Sequence, residues 1–184
     1  MKYSLRDVVK IFFILLIIFE TSATMAAAKT IGIIVFDNVP TGEVTGPAEV
    51  FGRAIKTDWF QGWSVLLINI EKQPTIKTNE SLVLSVDTNI YNSPLVDVLI
   101  VPGGNDTDKL LSNTTLIEFI RQHAKNAKWL SSNCSGAFLL GQAGVLDGMQ
   151  ATTWSGGEAL LQKQFPKIKV ISNQPVVIDD HRLT

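Results

Sequence analysis

The chain has 184 residues but only one cysteine and two histidines. A single thiol excludes an internal disulfide framework and any multi-cysteine zinc site. Two histidines leave little for a histidine metal cluster, so no metal is expected. The chain also lacks an excess of either charge: 16 Lys and Arg stand against 17 Asp and Glu, a net charge of −1. Without a basic surplus to hold a phosphate backbone, nucleic acid is not an expected partner. Neither a G-x-x-x-x-G-K-[ST] loop nor a G-x-G-x-x-G turn follows the first apolar strand, so phosphate and dinucleotide cofactors have no support and no cofactor is expected. Charged residues are 18% and hydrophobic residues 46%, which excludes disorder as the main state. The length suits one domain with a sizeable core.

The first 28 residues read as a secretory signal, and 29–184 as the domain. Lys2, Arg6 and Lys10 precede the apolar run Ile11–Phe19, and small residues ending in Ala26-Ala27-Ala28 follow it. As a helix that run would span roughly 14 Å, about half of a bilayer's hydrocarbon thickness, too short for a stable span. Cleavage is expected after Ala26 or Ala28. An exported protein, periplasmic or extracellular, is therefore expected, with membrane contact only through the leader if it stays uncleaved.

Short apolar runs then alternate with amphipathic stretches. Strands are predicted at Ile31–Phe36, Trp63–Ile70, Val96–Val101 and Trp129–Asn133, with further short ones at Ile168–Ile171 and Val176–Ile178. Thr75–Val86 alternates as an edge hairpin does. Helices are predicted at Glu43–Ile55, Thr114–Ala127, Ser135–Ala143 and Gly156–Phe165. Pro47 suits a first helical turn, which puts the start of the first helix near Thr45. Thr114 is the expected cap of the second. This alternation implies an α/β fold with a mainly parallel sheet covered on both faces, and ligand sites beyond the carboxyl ends of its strands.

Cys134 lies in SSNCSGAFLLG, between a predicted strand and a predicted helix. Such an elbow lifts a nucleophile above the sheet edge, with Gly136 leaving room for a ligand against the backbone. The helix dipole and free N–H groups there predict a thiol pKa below the ordinary value. Glu43, at the loop-to-helix junction after the first strand, could trade a proton with that thiol. Asp37, nearer the strand end, competes for the role. Gly103 and Gly104, after a strand, could turn backbone N–H groups toward a ligand and form an oxyanion hole with the N–H of Ser135. Trp154 either walls the pocket or fills the core. His123, flanked by Arg121, Gln122 and Lys125, reads as a solvated helix-face residue, and His181 as a loop residue near the chain end.

Together IGIIVF, EVTGPAEVFGRA, VDVLIVPGG, SSNCSGAFLLGQAGVLDGMQATT and LLQKQFP resemble the DJ-1/PfpI family, of class I glutamine amidotransferase-like proteins. Within it they are most similar to the branch of isocyanide hydratases and amidotransferase-like domains of AraC-type regulators. The resemblance runs from about Thr30 to the end. It implies a flavodoxin-like three-layer sandwich, commonly dimeric. It also implies Cys134 as nucleophile, Glu43 as the acid hydrogen-bonded to it, and the amides of Gly103, Gly104 and Ser135 at the site. Many relatives carry His in a T-T-H-W segment where this chain has Thr152-Thr153-Trp154-Ser155, which speaks against a Cys–His dyad. Relatives also continue past the T-S-A-G motif into a further helix; this chain ends where that motif would begin, so a truncated domain is one expectation. A missing helix would leave an apolar sheet face uncovered.

Three functions compete at this level. The first is a small-molecule enzyme, a cysteine-dependent hydratase, lyase or glyoxalase-type catalyst. The second is an oxidation-sensing or protective thiol protein. The third is a ligand-binding module without chemistry. Each takes a small molecule or oxidant as partner, in an expected homodimer.

Overall fold

A computed structural model describes residues 29–184; the secretory signal expected at 1–28 lies outside the described residues. Strand β1 (Lys29–Val35) carries Ile31, Ile33, Ile34 and Val35 without solvent exposure, as a β-branched run between two covered faces requires. Helix α1 spans Thr41–Ala54, and β2 spans Trp63–Asn69. The antiparallel hairpin β3 (Thr75–Lys77) and β4 (Val83–Ser85) follows, then β5 (Thr88–Asn89) and β6 (Val98–Val101). Helices α2 (Thr107–Ser112) and α3 (Thr114–Asn126) lead to β7 (Trp129–Ser132) and α4 (Gly136–Gln142). The remaining elements are β8 (Gln150–Ala151), α5 (Glu158–Gln164), β9 (Lys169–Val170), β10 (Ile178–Asp179) and β11 (Arg182–Leu183).

The seven-stranded sheet runs β10-β11-β7-β6-β1-β2-β5. Its pairs are parallel except β10 with β11. This is the mainly parallel α/β sheet that the alternation predicted, in the flavodoxin-like form that the family resemblance implied. The consecutive placement of β1, β6 and β7 brings three strand ends to one edge, where a parallel sheet builds its sites.

Several local expectations need correction. Helix α1 starts at Thr41, not near Thr45, so Pro47 lies inside it. Pro40 precedes the first turn and offers no side-chain cap; the cap comes from across the fold instead. Glu80, at the tip of the β3–β4 hairpin, accepts the Thr41 N–H at 2.8 Å and the Thr41 hydroxyl at 2.6 Å. Those bonds from Thr41 hold the Glu80 carboxyl down at about 2. The cap of α3 is Asn113, whose side chain accepts the Leu116 N–H at 3.0 Å, not Thr114. Asp106 caps helix α2, its side chain accepting the Lys109 N–H at 3.3 Å.

His123 is buried, not solvated. Its Nδ1 lies 2.9 Å from the Phe119 carbonyl oxygen and its ring packs on Phe119. Burial pulls its pKa below the ordinary imidazole value. Position 123 follows Leu116 by seven residues and Ile120 by three, which puts it on the buried stripe of α3 whatever the charge of its neighbours. His181 lies exposed in the turn between β10 and β11, as expected, edge-on to Trp129.

One sheet face is open beside α1. Val98, Ile100 and Leu183 line it with Pro47 and Phe51 of α1, around a depression of about 690 Å³. Val50 and Ile178 at its margin are 63% and 60% exposed.

Candidate functional site

Cys134 sits between β7 and α4 with φ of +50°, a left-handed conformation costly for a residue with a Cβ. The turn is tight because α4 presses on the sheet. A Cβ on Gly136 would stand 2.1 Å from the Val101 carbonyl oxygen. Gly136 is therefore there for helix-to-strand packing, not to admit a ligand as its position suggested. The chain reverses at once from strand to helix, and Cys134 is left exposed above the sheet edge.

Glu43 and Cys134 meet. Glu43 lies in the first turn of α1, and its Oε2 accepts the Gly103 N–H at 2.9 Å. Its carboxyl is also in hydrogen-bonding contact with the Cys134 sulfur. The Ser135 N–H and side chain also act on the sulfur. The Thr153 hydroxyl donates to the Cys134 carbonyl at 2.8 Å and so ties the elbow to the loop after β8. Thr153 lies in the Thr152–Ser155 segment read for its missing His; nothing in the residue alone marked its bond to the elbow.

The thiol pKa departs from the sequence expectation. Partial burial of the sulfur raises it above the ordinary cysteine value, and the adjacent Glu43 charge raises it further. The Ser135 groups act in the opposite direction without overcoming these two. At neutral pH the thiol of Cys134 therefore keeps its proton.

The glycine amides are present at the site but already engaged. Gly103 N–H is held by Glu43, and Gly104 N–H donates to Ser135 Oγ at 2.9 Å. Ser135 Oγ also lies 3.2 Å from the Gly104 carbonyl, so it locks that turn to the elbow. A Cβ on Gly103 would lie 2.7 Å from Ser135 N, which explains the glycine by close approach of two loops. The amides expected to form an oxyanion hole thus orient the acid and the elbow.

Asp37 is elsewhere. Its carboxylate accepts the Lys77 N–H at 2.8 Å, binding the loop after β1 to the hairpin, and it lines a separate cleft with Glu71 and Asp106. It does not compete with Glu43. Trp154 serves both of its expected purposes. Its ring stacks on Phe138 of α4 at 5.1 Å and lines the depression that holds Cys134. That pocket, about 580 Å³, is walled by Asn133, Cys134, Thr153 and Trp154 on one side and by Glu158 and Asn173 on the other. Glu158 was not singled out in the sequence, where it reads as an ordinary acid at a helix start. Among the described residues no group of three His, Cys, Asp or Glu is placed to hold a metal ion.

Residues 29–184 match the model of the DJ-1/PfpI family. An isonitrile hydratase of Pseudomonas putida is 31% identical over 126 residues, which are 68% of this chain and 52% of that protein. The chain thus spans about half the length of that relative. An HTH-type transcriptional regulator, GbdR, of Pseudomonas aeruginosa is 28% identical over 106 residues, 58% of this chain and 28% of its own. Among solved structures, a ThiJ/PfpI family protein from Pseudomonas syringae superposes with a TM-score of 0.71 at 25% identity, covering 89% of this chain and 66% of that one.

Proposed function

Because the chain belongs to the DJ-1/PfpI family, we propose that it is a small-molecule enzyme in which Cys134 attacks an electrophilic carbon and Glu43 carries the proton. Hydration of an isonitrile-type carbon fits the site best. The observation that carries this reading is the engagement of both glycine amides. Attack on a carbonyl builds negative charge on oxygen and needs free donors to meet it. Attack on an isonitrile builds it on the carbon itself, where one proton donor beside the sulfur is enough.

The steps balance without a cofactor. The Cys134 sulfur bonds to the terminal carbon, and the thiol proton passes through Glu43 to that same carbon, giving a thioimidate. Water then adds to the carbon, Glu43 taking a proton from the water and passing it to the thioimidate nitrogen. The carbon–sulfur bond breaks, the N-substituted formamide leaves, and the thiol recovers its proton. A raised thiol pKa suits this cycle, since the pair enters it holding the proton it must deliver. The absence of a His at Trp154 is no obstacle, because no leaving amine has to be protonated.

Turnover of simple alkyl isonitriles by the purified protein, followed by formamide release, tests the reading. Cys134→Ser is expected to lower the rate by about three orders of magnitude or more, the scale seen when a nucleophile is removed. Methylglyoxal turnover that exceeds isonitrile turnover would instead favour a carbonyl substrate.

A protective thiol role is the second reading, favoured by the exposure of Cys134. The raised pKa weighs against it, because oxidants attack the thiolate. We also propose that the protein is exported, on the basic, apolar and Ala-rich succession of residues 1–28, and that it self-associates as a homodimer, on its exposed apolar face.

A further inference from the structure

We infer that the pocket over Cys134 selects its ligand by charge, taking small molecules whose reacting end is uncharged or cationic and turning anions away. The inference rests on Cys134 being the reacting group and names the substrate class of that site. One carboxyl group lines the pocket and another stands beside its cysteine. Glu43 lies at the sulfur, and Glu158 lines the wall beside Trp154. Glu158 is fixed and ionised: it accepts the Gly156 N–H at 2.7 Å, and hydrogen bonds from nearby main-chain groups hold it below the usual carboxylate range. No Lys, Arg or His lines the pocket.

The backbone amides of the glycine turn are engaged, which leaves uncharged side chains such as Asn133 and Asn173 as the donors in the lining. The N–H groups of Gly103 and Gly104 are bonded within the protein, and the Ser135 N–H is directed at the sulfur. Substrates bearing a carboxylate or phosphate next to the reacting carbon would meet two negative groups and no cation.

Three methanethiosulfonates of similar size measure this on the full chain without knowledge of the substrate: methyl (neutral), 2-aminoethyl (cationic) and 2-sulfonatoethyl (anionic). In each, the Cys134 thiolate bonds to the sulfenyl sulfur, methanesulfinate departs with the electron pair, and the thiol proton goes to solvent. Because the chain has one cysteine, the mass of the intact protein reports the reaction. The reference is the capped, uncharged thiol N-acetylcysteinamide at the same pH and low salt. Relative to it, the cation-to-anion rate ratio at Cys134 is expected to rise about tenfold, the scale of charge interactions across a few ångströms of solvent-exposed protein. The ratio should shrink as salt screens it. Glu158→Gln should reduce it by a factor of a few, with each rate taken relative to the neutral reagent so that a general change in thiol reactivity cancels. A wild-type ratio equal to that of the reference thiol overturns charge selection and leaves the nucleophile reading intact. A ratio unmoved by Glu158→Gln overturns the assignment to Glu158. Failure of even the neutral reagent to modify Cys134 overturns the accessible nucleophile, and the inference with it.

Discussion

At the residue scale, the site is a contest over one proton. Two influences raise the Cys134 pKa, burial first and the Glu43 charge second. Removing the charge should therefore release the thiol. Glu43→Gln is expected to lower the apparent pKa of Cys134, so that alkylation by iodoacetamide, followed against pH, reaches half its limit at lower pH than in the parent. The same variant should lose isonitrile turnover, because a freer thiolate without a proton carrier cannot complete the addition. A midpoint displaced upward instead would mean that the carboxyl stabilises the thiolate by donating to it. The family resemblance carried by the EVTGPAEVF and CSGAF segments made both residues visible. It could not show which amides remain free, because that depends on whether Glu43 and Ser135 turn toward Gly103 and Gly104. Asp37 misled for a related reason. Its place after β1 is right for a site, but the direction of its side chain is decided by a hairpin forty residues away.

At the element scale, helix α1 acts as a lever. Its first turn bears Glu43, and that turn is fastened from outside by Glu80 through Thr41. Because the folded pKa of Glu80 lies below its ordinary value, the fastening is complete above about 4.5 and is lost as pH falls toward about 2. Glu80→Ala should reproduce the loss at neutral pH. Amide exchange at Thr41 is expected to accelerate while exchange in β1 stays slow, and the Cys134 pKa should move toward its ordinary value as Glu43 loosens. Glu80→Gln, which keeps an acceptor, should recover part of both. The central strands were legible because buried β-branched runs have few other uses, and β1, β2, β6 and β7 fall within a residue or two of their expected bounds. The start of α1 was not, because Pro47 satisfies the local rule for a first turn equally well. The choice between Pro40 and Pro47 is made by the long-range bond to Glu80.

At the scale of the whole molecule, the alternation of strands and helices was enough to specify a mainly parallel sheet, and the parallel pairing along β11-β7-β6-β1-β2 bears that out. The coverage expected on both faces is incomplete, for a reason the sequence does not show. The apolar positions of β6 and β11 look identical in sequence whether a helix or solvent lies over them. Here Val98, Ile100 and Leu183 border an open depression, and Ile178 stands 60% exposed at its margin. Contiguous apolar surface of this kind drives association. The protein is expected to sediment as a concentration-dependent mixture of monomer and dimer. Ile178→Glu should shift that mixture toward monomer by about tenfold or more in dissociation constant, since desolvating a charge in such a contact costs more than about 1.4 kcal/mol.

The backbone at Cys134 has a consequence for descent as well as for chemistry. A left-handed torsion there admits glycine, asparagine or aspartate readily and β-branched residues hardly at all. A lineage that abandoned the reaction would still find most of the alphabet closed at this position. Constancy of type among relatives would then record geometry before it recorded selection for turnover, so a shared elbow alone does not demonstrate a shared reaction.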